Sequence, residues 1–572
     1  MHELVIRGGV VVDGTGTPAR EGDVAIDAGR VAAVGRNLAR GRRELDARGF
    51  LVTPGWVDVH THYDGQVTWD PYLTPSGWHG VTTVVMGNCG VGFAPAKPER
   101  HEWLIGLMEG VEDIPGTALA EGIRWEWESF PEYLAALERM PRALDVAAQV
   151  PHGAVRAYVM GERGAKNEKA TPEDVAAMAQ IVREAIAAGA VGFSTSRTLL
   201  HRAVDGEPVP GTFAGDEEVL GIGRVLGELG RGVFELASDL APEARELAWM
   251  HRLSRETGRP VTFACLQNDF DPGQWRRLLA EASRSAAQGG RMTPQVAARP
   301  TGLLLGLEST AHPFLLHPAY REVAHLPRVE RVRALREPER RRRLVEEPSP
   351  QPNALAAFVS SAFHRLFPLG DPPDYEPAPE QSVAAMAKRE GRLPQEVALD
   401  LLLSREGREL LYFPLLNYAS GDFEPIREML THPTAVVGLS DGGAHCGLIC
   451  DASMPSFLLT HWARDRRRGA RLPLEQVVHA QTRRTAQLFD FQDRGALLPG
   501  MKADLNVIDF ERLRIHPPQM VFDLPGAGRR LIQKVDGYRA TVCNGELTFE
   551  DGRATGALPG KLVRGAMPAP AP

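Results

Sequence analysis

Both ends of this chain alternate apolar and polar residues between glycine turns, and a long strand–helix alternation lies between them. LVIRGGVVVDG, GDVAIDAGRVAAVG and RGFLVTPG near the start read as strands, because a period of two turns one face of each toward a core. ADLNVIDF and RATVCNGELTFEDG near the end read the same way. Neither group is large enough to bury an apolar face alone, so the two ends are expected to meet in one small β module. Two separate β caps, the alternative, leave each with too little core.

The middle supplies the second constraint. VTTVVMGNCG is a buried strand, and TPEDVAAMAQIVREAIAAGA is a helix with legible ends. Thr171 can cap it, Pro172 suits its first turn, Val175, Met178 and Val182 share a face, and Gly189 can end it. The strand AVGFSTS follows, then a helix near EVLGIGRVLGELG, the strand RGVFELAS, the helix EARELAWMHRLSRETG and the strand RPVTFACLQ. That rhythm calls for a parallel sheet, open or closed into a barrel. Between about Arg299 and Ala435 it breaks into proline-rich sequence with a basic run, Glu339 to Arg343. This stretch reads as an insertion over the catalytic face, a lid or an oligomer contact, and its arginines as a solvated helix face rather than an anion site. The last residues, GAMPAPAP, are expected to be disordered.

Composition narrows the class. The 572 residues are 43% apolar and 24% charged, which excludes a disordered or fibrous protein. A net charge of -8 gives no overall attraction for nucleic acid or an anionic membrane. The five cysteines are scattered and odd in number, so no disulfide framework is suggested. The start has no cationic segment followed by an apolar stretch, and no apolar run reaches the roughly 18 residues of a membrane span. The expected setting is a reducing cytoplasm, and oligomeric state stays open, a homo-oligomer included.

Three segments carry chemistry. In PGWVDVHTH, Pro54 to His62, an apolar strand ends in two histidines one residue apart. Alternate side chains of a strand share a face, so His60 and His62 project together and can grip one metal ion, with Asp64 placed to orient one of them. In VVMGNCG, Cys89 ends a strand beside glycines that allow close backbone approach; a thiolate ligand and a buried structural cysteine are equally consistent with its position. In VVGLSDGGAH, Asp441 enters a glycine-rich loop where a carboxylate can bind metal and take a proton from water, although capping the next turn is also open to it. His79, His152 and His201 read as packing or surface residues. His445, four residues beyond Asp441, is a candidate to touch substrate.

Together these segments resemble the amidohydrolase superfamily, most closely its N-acyl-D-amino-acid deacylase (D-aminoacylase) branch. VTPGWVDVHTHYD, GNCG, SDGGAH and GALLPGMKADLNVIDF carry the likeness, which covers nearly the whole chain and is weakest in the insertion. The resemblance implies an α/β fold: a metal-dependent (β/α)8 TIM-type barrel joined to a small β-sandwich from both chain ends. On that basis residues 1–55 and 491–562 form the sandwich, 56–490 the barrel with an insertion at about 300–434 before the last barrel strand, and 563–572 a disordered tail. It implies hydrolysis of a small-molecule amide, a carbon–nitrogen bond other than a peptide bond, commonly N-acyl-D-amino acid to carboxylate and free amine. His60 and His62 fall on the first-strand metal ligands, Cys89 on the cysteine ligand, and Asp441 on the metal-binding general base and acid.

The pattern departs at two strands. The resemblance implies a histidine ending the fifth strand and another ending the sixth, where this chain has Ala237 and Cys265. The fourth strand has no lysine, so a carbamylated-lysine bridge is absent as well. What is left is a one-zinc set of His60, His62, Asp441 and Cys89, with Cys265 and Asp239 as further candidates and other divalent metals admitted. Arg197 and Arg299 are candidates, by location, for an arginine fork on a substrate carboxylate. A cyclic-amide hydrolase on the same barrel and an inactive binding or scaffold protein remain as alternatives.

Overall fold

The computed structural model describes residues 1–351 and 354–570. Eight parallel strands pair in chain order: Trp56–Asp58, Val81–Met86, Asp145–Pro151, Gly192–Arg197, Val233–Ser238, Val261–Ala264, Met292–Val296 and Val436–Val437. Val81–Met86 and Asp145–Pro151 are buried along their whole length, as strands covered on both faces must be. The ring closes just beyond its first and last strands. Thr61 bridges Gly442 in parallel, His62 N–H donates to the Gly442 carbonyl at 2.7 Å, and Asp441 N–H donates to the His60 carbonyl at 3.1 Å. The molecule is therefore a (β/α)8 TIM-type barrel with an added β module.

The helices follow from local sequence. Pro172–Ala188 begins with Thr171, whose hydroxyl accepts the Asp174 N–H while the Asp174 carboxylate accepts the Thr171 N–H, a reciprocal cap. It ends at Gly189 with φ 118°, and Met178 and Val182 bury its inner face.

The two chain ends meet as expected. Leu51–Pro54 pairs antiparallel with Leu505–Ile508, joining five strands from the start to four from the end in one nine-stranded sheet. Leu4, Ile6, Val24, Val52, Leu505 and Val542 form its own apolar cluster. The nine-stranded sheet branches at His2–Val11. The first half of this strand runs parallel to Gly41–Asp46, its last residues pair with Leu51 and Val52, and the register with its antiparallel neighbour shifts at Gly8, where φ is 63°.

The insertion has its own three-stranded sheet, Gly302–Leu305, Phe367–Pro368 and Leu411–Pro414, over a separate cluster that includes Leu303, Leu335, Val383 and Phe413. It leans on the loop after the last barrel strand: Leu304 N–H donates to the Leu448 carbonyl at 2.7 Å and Thr310 N–H to that of Gly447 at 2.9 Å. Its arginine run lies on helix Pro338–Glu346, and Arg340, Arg341, Arg342 and Arg343 all pair with carboxylates. The disordered tail expected from 563 is corrected over its first part. Val563 is 2% exposed and donates its N–H to the Val146 carbonyl, and Met567 bridges Phe491, because each apolar side chain finds a site beneath the barrel. Residues 571–572 lie outside the described residues.

No described helix is long and apolar enough to cross a membrane. All five cysteines are free and buried.

One buried charge cluster ties module to barrel. Asp145, at the start of the third strand, lies 2.8 Å from Arg494 Nη1 and 2.9 Å from Lys502 Nζ. Its other oxygen accepts from Asn544 Nδ2 and from the Lys561 N–H. Burial alone raises a carboxyl, but the charges of Lys502 and Arg494 outweigh it and hold Asp145 well below its ordinary range. A carboxylate depressed by folding contributes stability that is full above its unfolded value, near 3.8 here, and is lost as the pH falls further. Asp145→Asn leaves two buried cations short of a partner and should cost about 3–5 kcal/mol near pH 7. Urea unfolding of parent and variant should show that gap, narrowing as the pH falls below about 4.

Candidate metal centre

Barrel closure places the chemistry. The chain stays extended past Trp56–Asp58, so His60 and His62 point inward, 2% and 1% exposed, while the Thr61 hydroxyl donates to the Val85 carbonyl. The hydrogen bonds that close the ring set Asp441 beside them. Cys89 follows the second strand in a left-handed turn, φ 56°, and its N–H donates to Glu235 Oε2 at 2.9 Å.

Four donor atoms converge. His60 Nε2 is 3.3 Å from Cys89 Sγ and 3.4 Å from Asp441 Oδ1, which is 3.7 Å from His62 Nε2. Ligand atoms of His60, His62 and Cys89 lie within 4.8 Å of one another. Ligands about 2.0–2.3 Å from a tetrahedral cation stand about 3.3–3.7 Å apart, so these separations fit zinc. The outer nitrogens fit as well. His60 Nδ1 is 2.9 Å from Gln295 Oε1 and His62 Nδ1 is 3.3 Å from Glu112 Oε1, which leaves both Nε2 atoms turned inward. Asp64, the expected orienter, instead accepts the Gly87 N–H at 3.1 Å and secures the turn that carries Cys89.

The electrostatics point the same way. Burial pushes His60 down to about 4. Burial opposes charge on His62 too, but the carboxylates of Glu112 and Asp441 outweigh it and raise the ring to about 9. Burial alone raises Asp441, yet His62, His60 and His445 hold it well below the carboxylate range. Burial lifts Glu235 to about 8 and the Cys89 thiol well above its ordinary value. Two imidazoles ringed by three carboxyls and a thiol form a donor set that a divalent cation satisfies.

His445 stands at the rim, with Nε2 3.6 Å from Glu112 Oε2 and 3.9 Å from Asp441 Oδ2. The two arginine candidates need correction. Arg197 forks onto Glu246 at 2.8 and 2.7 Å over the face of Trp249, and Arg299 holds Asp451 at 2.9 Å over the Tyr375 ring. Each balances a buried carboxylate from a neighbouring segment, Arg197 with its whole fork and Arg299 through Nε and Nη2, which leaves Arg299 Nη1 without a partner among the described residues. Cys265 packs between Met429 and Trp275, and Asp239 caps its loop through Thr198 and the Leu199 N–H, so neither joins the four donors. Ala237 offers no ligand atom. His79 bonds Ser456 and the Gln533 carbonyl, and His152 bonds Thr195 and Glu218, as packing residues do. His201 is half-buried. Its Nδ1 is 3.1 Å from Ser196 Oγ, and burial with the charges of His445 and His62 nearby holds it down to about 3.

Glu112, Glu235 and Gln295 were not foreseen. Glu235 sits two residues before Ala237, on the same face of the fifth strand, so the period of two marks it as inward-facing. Gln295 carries the same signal on the seventh strand. Glu112 carries none, because an acidic residue at a helix end reads as surface.

Two histidines, a cysteine and an aspartate thus gather at the C-terminal rim of a parallel barrel, the end at which barrels of this type carry their sites. The amidohydrolase family model matches residues 43–549, and the chain belongs to that family. D-aminoacylase of Alcaligenes xylosoxydans xylosoxydans is 33% identical over 267 residues, a stretch that spans 46% of this chain and half the length of that relative. A crystal structure of D-aminoacylase superposes with a TM-score of 0.65 at 24% identity, covering 99% of this chain and 100% of that one. The crystal structure of N-acyl-D-glutamate deacylase from Bordetella bronchiseptica, complexed with zinc and a phosphonate inhibitor, gives 0.64 at 25% identity, covering 98% and 99%.

Arg197→Leu leaves Glu246 buried without its partner and should cost about 3–5 kcal/mol of unfolding free energy. A guanidinium that bound substrate instead would leave urea unfolding unchanged and raise KM.

Proposed function

We propose that this chain is a zinc-dependent hydrolase of a linear amide, and that its substrate is an N-acyl-D-amino acid, released as a carboxylate and a free amine. The observation that carries this reading is the approach of Asp441 to His60 and His62, at 3.4 and 3.7 Å, beside the Cys89 thiol. His60, His62, Cys89 and Asp441 would hold one divalent cation. Bound there, the cation supplies polarisation of the scissile carbonyl and acidification of a water.

The chain's own groups supply the rest. Asp441 enters ionised, since the three imidazoles around it favour its charge. Its Oδ1 faces the two strand histidines and its Oδ2 faces His445. The carboxylate takes the proton of the attacking water and passes it to the departing nitrogen, which leaves as a neutral amine rather than a very basic anion. Gln295 and Glu112 keep the two imidazoles turned inward while this happens. One ion rather than two is favoured by the fifth and sixth strands, where Ala237 has no donor and the Cys265 thiol faces Met429. The five free, buried cysteines suit a reducing compartment, and we place the enzyme in the cytoplasm.

Elemental analysis of the purified chain should find about one zinc per molecule. N-acyl-D- and N-acyl-L-amino acids, assayed for released amine, should show turnover of the D series. Asp441→Asn should retain the fold and lose at least about 10³-fold in kcat, the upper part of the roughly 10²–10⁴-fold that one acid–base group supplies, because the residue both takes and returns the proton. Near-parental kcat in that variant would remove Asp441 from proton transfer.

A further inference from the structure

Helix His101–Glu112 leaves the barrel after the second strand, and its last residue reaches back into the centre. Glu112 is 1% exposed. Its Oε1 lies 3.3 Å from His62 Nδ1 and its Oε2 3.6 Å from His445 Nε2, while its backbone carbonyl accepts the His445 N–H. His62 Nδ1 and Glu112 Oε2 have no hydrogen-bond partner among the described residues, and Glu112 Oε1 faces that nitrogen at 3.3 Å. The next residue continues the grip. Asp113 ends the helix with φ 51°, and its carboxylate accepts the Thr310 hydroxyl and the Gly447 N–H, the latter at 3.0 Å.

The segment held in this way needs holding. Leu439, Asp441 and His445 all have positive φ, at 61°, 48° and 53°, a region that residues with side chains rarely occupy and keep only when their surroundings enforce it. Ring closure fixes the start of the segment through Asp441 N–H. Glu112 and Asp113 fix its end from outside the barrel.

We propose that Glu112 is a positioning residue of the cation site: its carboxylate keeps the His62 proton on Nδ1, leaving Nε2 as the ligand atom, and with its carbonyl it pins the loop that presents Asp441 and His445. The proposal rests on reading His60, His62, Cys89 and Asp441 as that site. Carboxylates behind ligating histidines fix tautomer and ring orientation, and their loss typically weakens metal binding 10–100-fold.

The test uses Glu112→Gln and Glu112→Ala in the full chain. Zinc Kd, measured by competition with a chelator, should rise about 10–100-fold in Glu112→Ala. It should rise less in Glu112→Gln, whose amide oxygen still accepts from Nδ1. Visible absorption of the cobalt-substituted protein should change in the alanine variant, and kcat should fall further than KM rises. A zinc Kd within twofold of the parent, with an unchanged cobalt spectrum, overturns the proposal. So does a loss of thermal stability in Glu112→Ala with no change in Kd, which assigns a purely structural role. Should the alanine variant fail to fold, the nearly isosteric glutamine variant decides by the same Kd and spectrum. A parent chain that retains no zinc overturns the cation site itself and is read before either variant.

Discussion

Two backbone hydrogen bonds carry the rest of the structure: His62 N–H to the Gly442 carbonyl and Asp441 N–H to that of His60. They close a barrel whose first and last strands are short, Trp56–Asp58 and Val436–Val437, and they do so at the residues that bear the candidate ligands. Closure and site formation are one event. The geometry of a strand end, where alternate residues share a face, turns the joint into a cluster of inward-facing imidazoles and a carboxylate.

Around that joint the barrel gathers acidic side chains, two of which, Glu235 and Cys89, burial keeps protonated. Buried Glu112, Glu235 and Cys89 and half-buried Asp441 surround the two histidines. Buried acids without cations are expensive, and side-chain cations do not meet this need: Arg197 and Arg299 are engaged with Glu246 and Asp451. On the function proposed above, a bound cation would supply the balancing charge. The fifth strand, which has no histidine, lends support of another kind. Glu235 stabilises the Cys89 turn through its N–H.

Much of this was legible in the chain because it follows from period and punctuation. His60 and His62 alternate on a strand, Thr171 and Gly189 bound a helix, and the β-rich ends are too small to stand apart. What escaped was long-range pairing. The arginines after the fourth and seventh strands looked available because nothing in the sequence links Arg197 to Glu246 or Arg299 to Asp451. Glu112 was missed for the same reason, since a helix tip shows its inward turn only once the helix is docked. The tail was read from its prolines, although Val563 and Met567 are the apolar residues that anchor it.

The pairing of Leu51–Pro54 with Leu505–Ile508 has a consequence for biosynthesis. Leu51–Pro54 is made before its partner and waits, at about 5–20 residues per second, while the whole barrel between them is synthesised. During that interval a nascent sheet has an open edge able to recruit another polypeptide. Translation speed and chaperone cover over the middle of the message thus become part of how this architecture reaches its native form. A transcript cut short before Leu505–Ile508 would leave that edge without its partner.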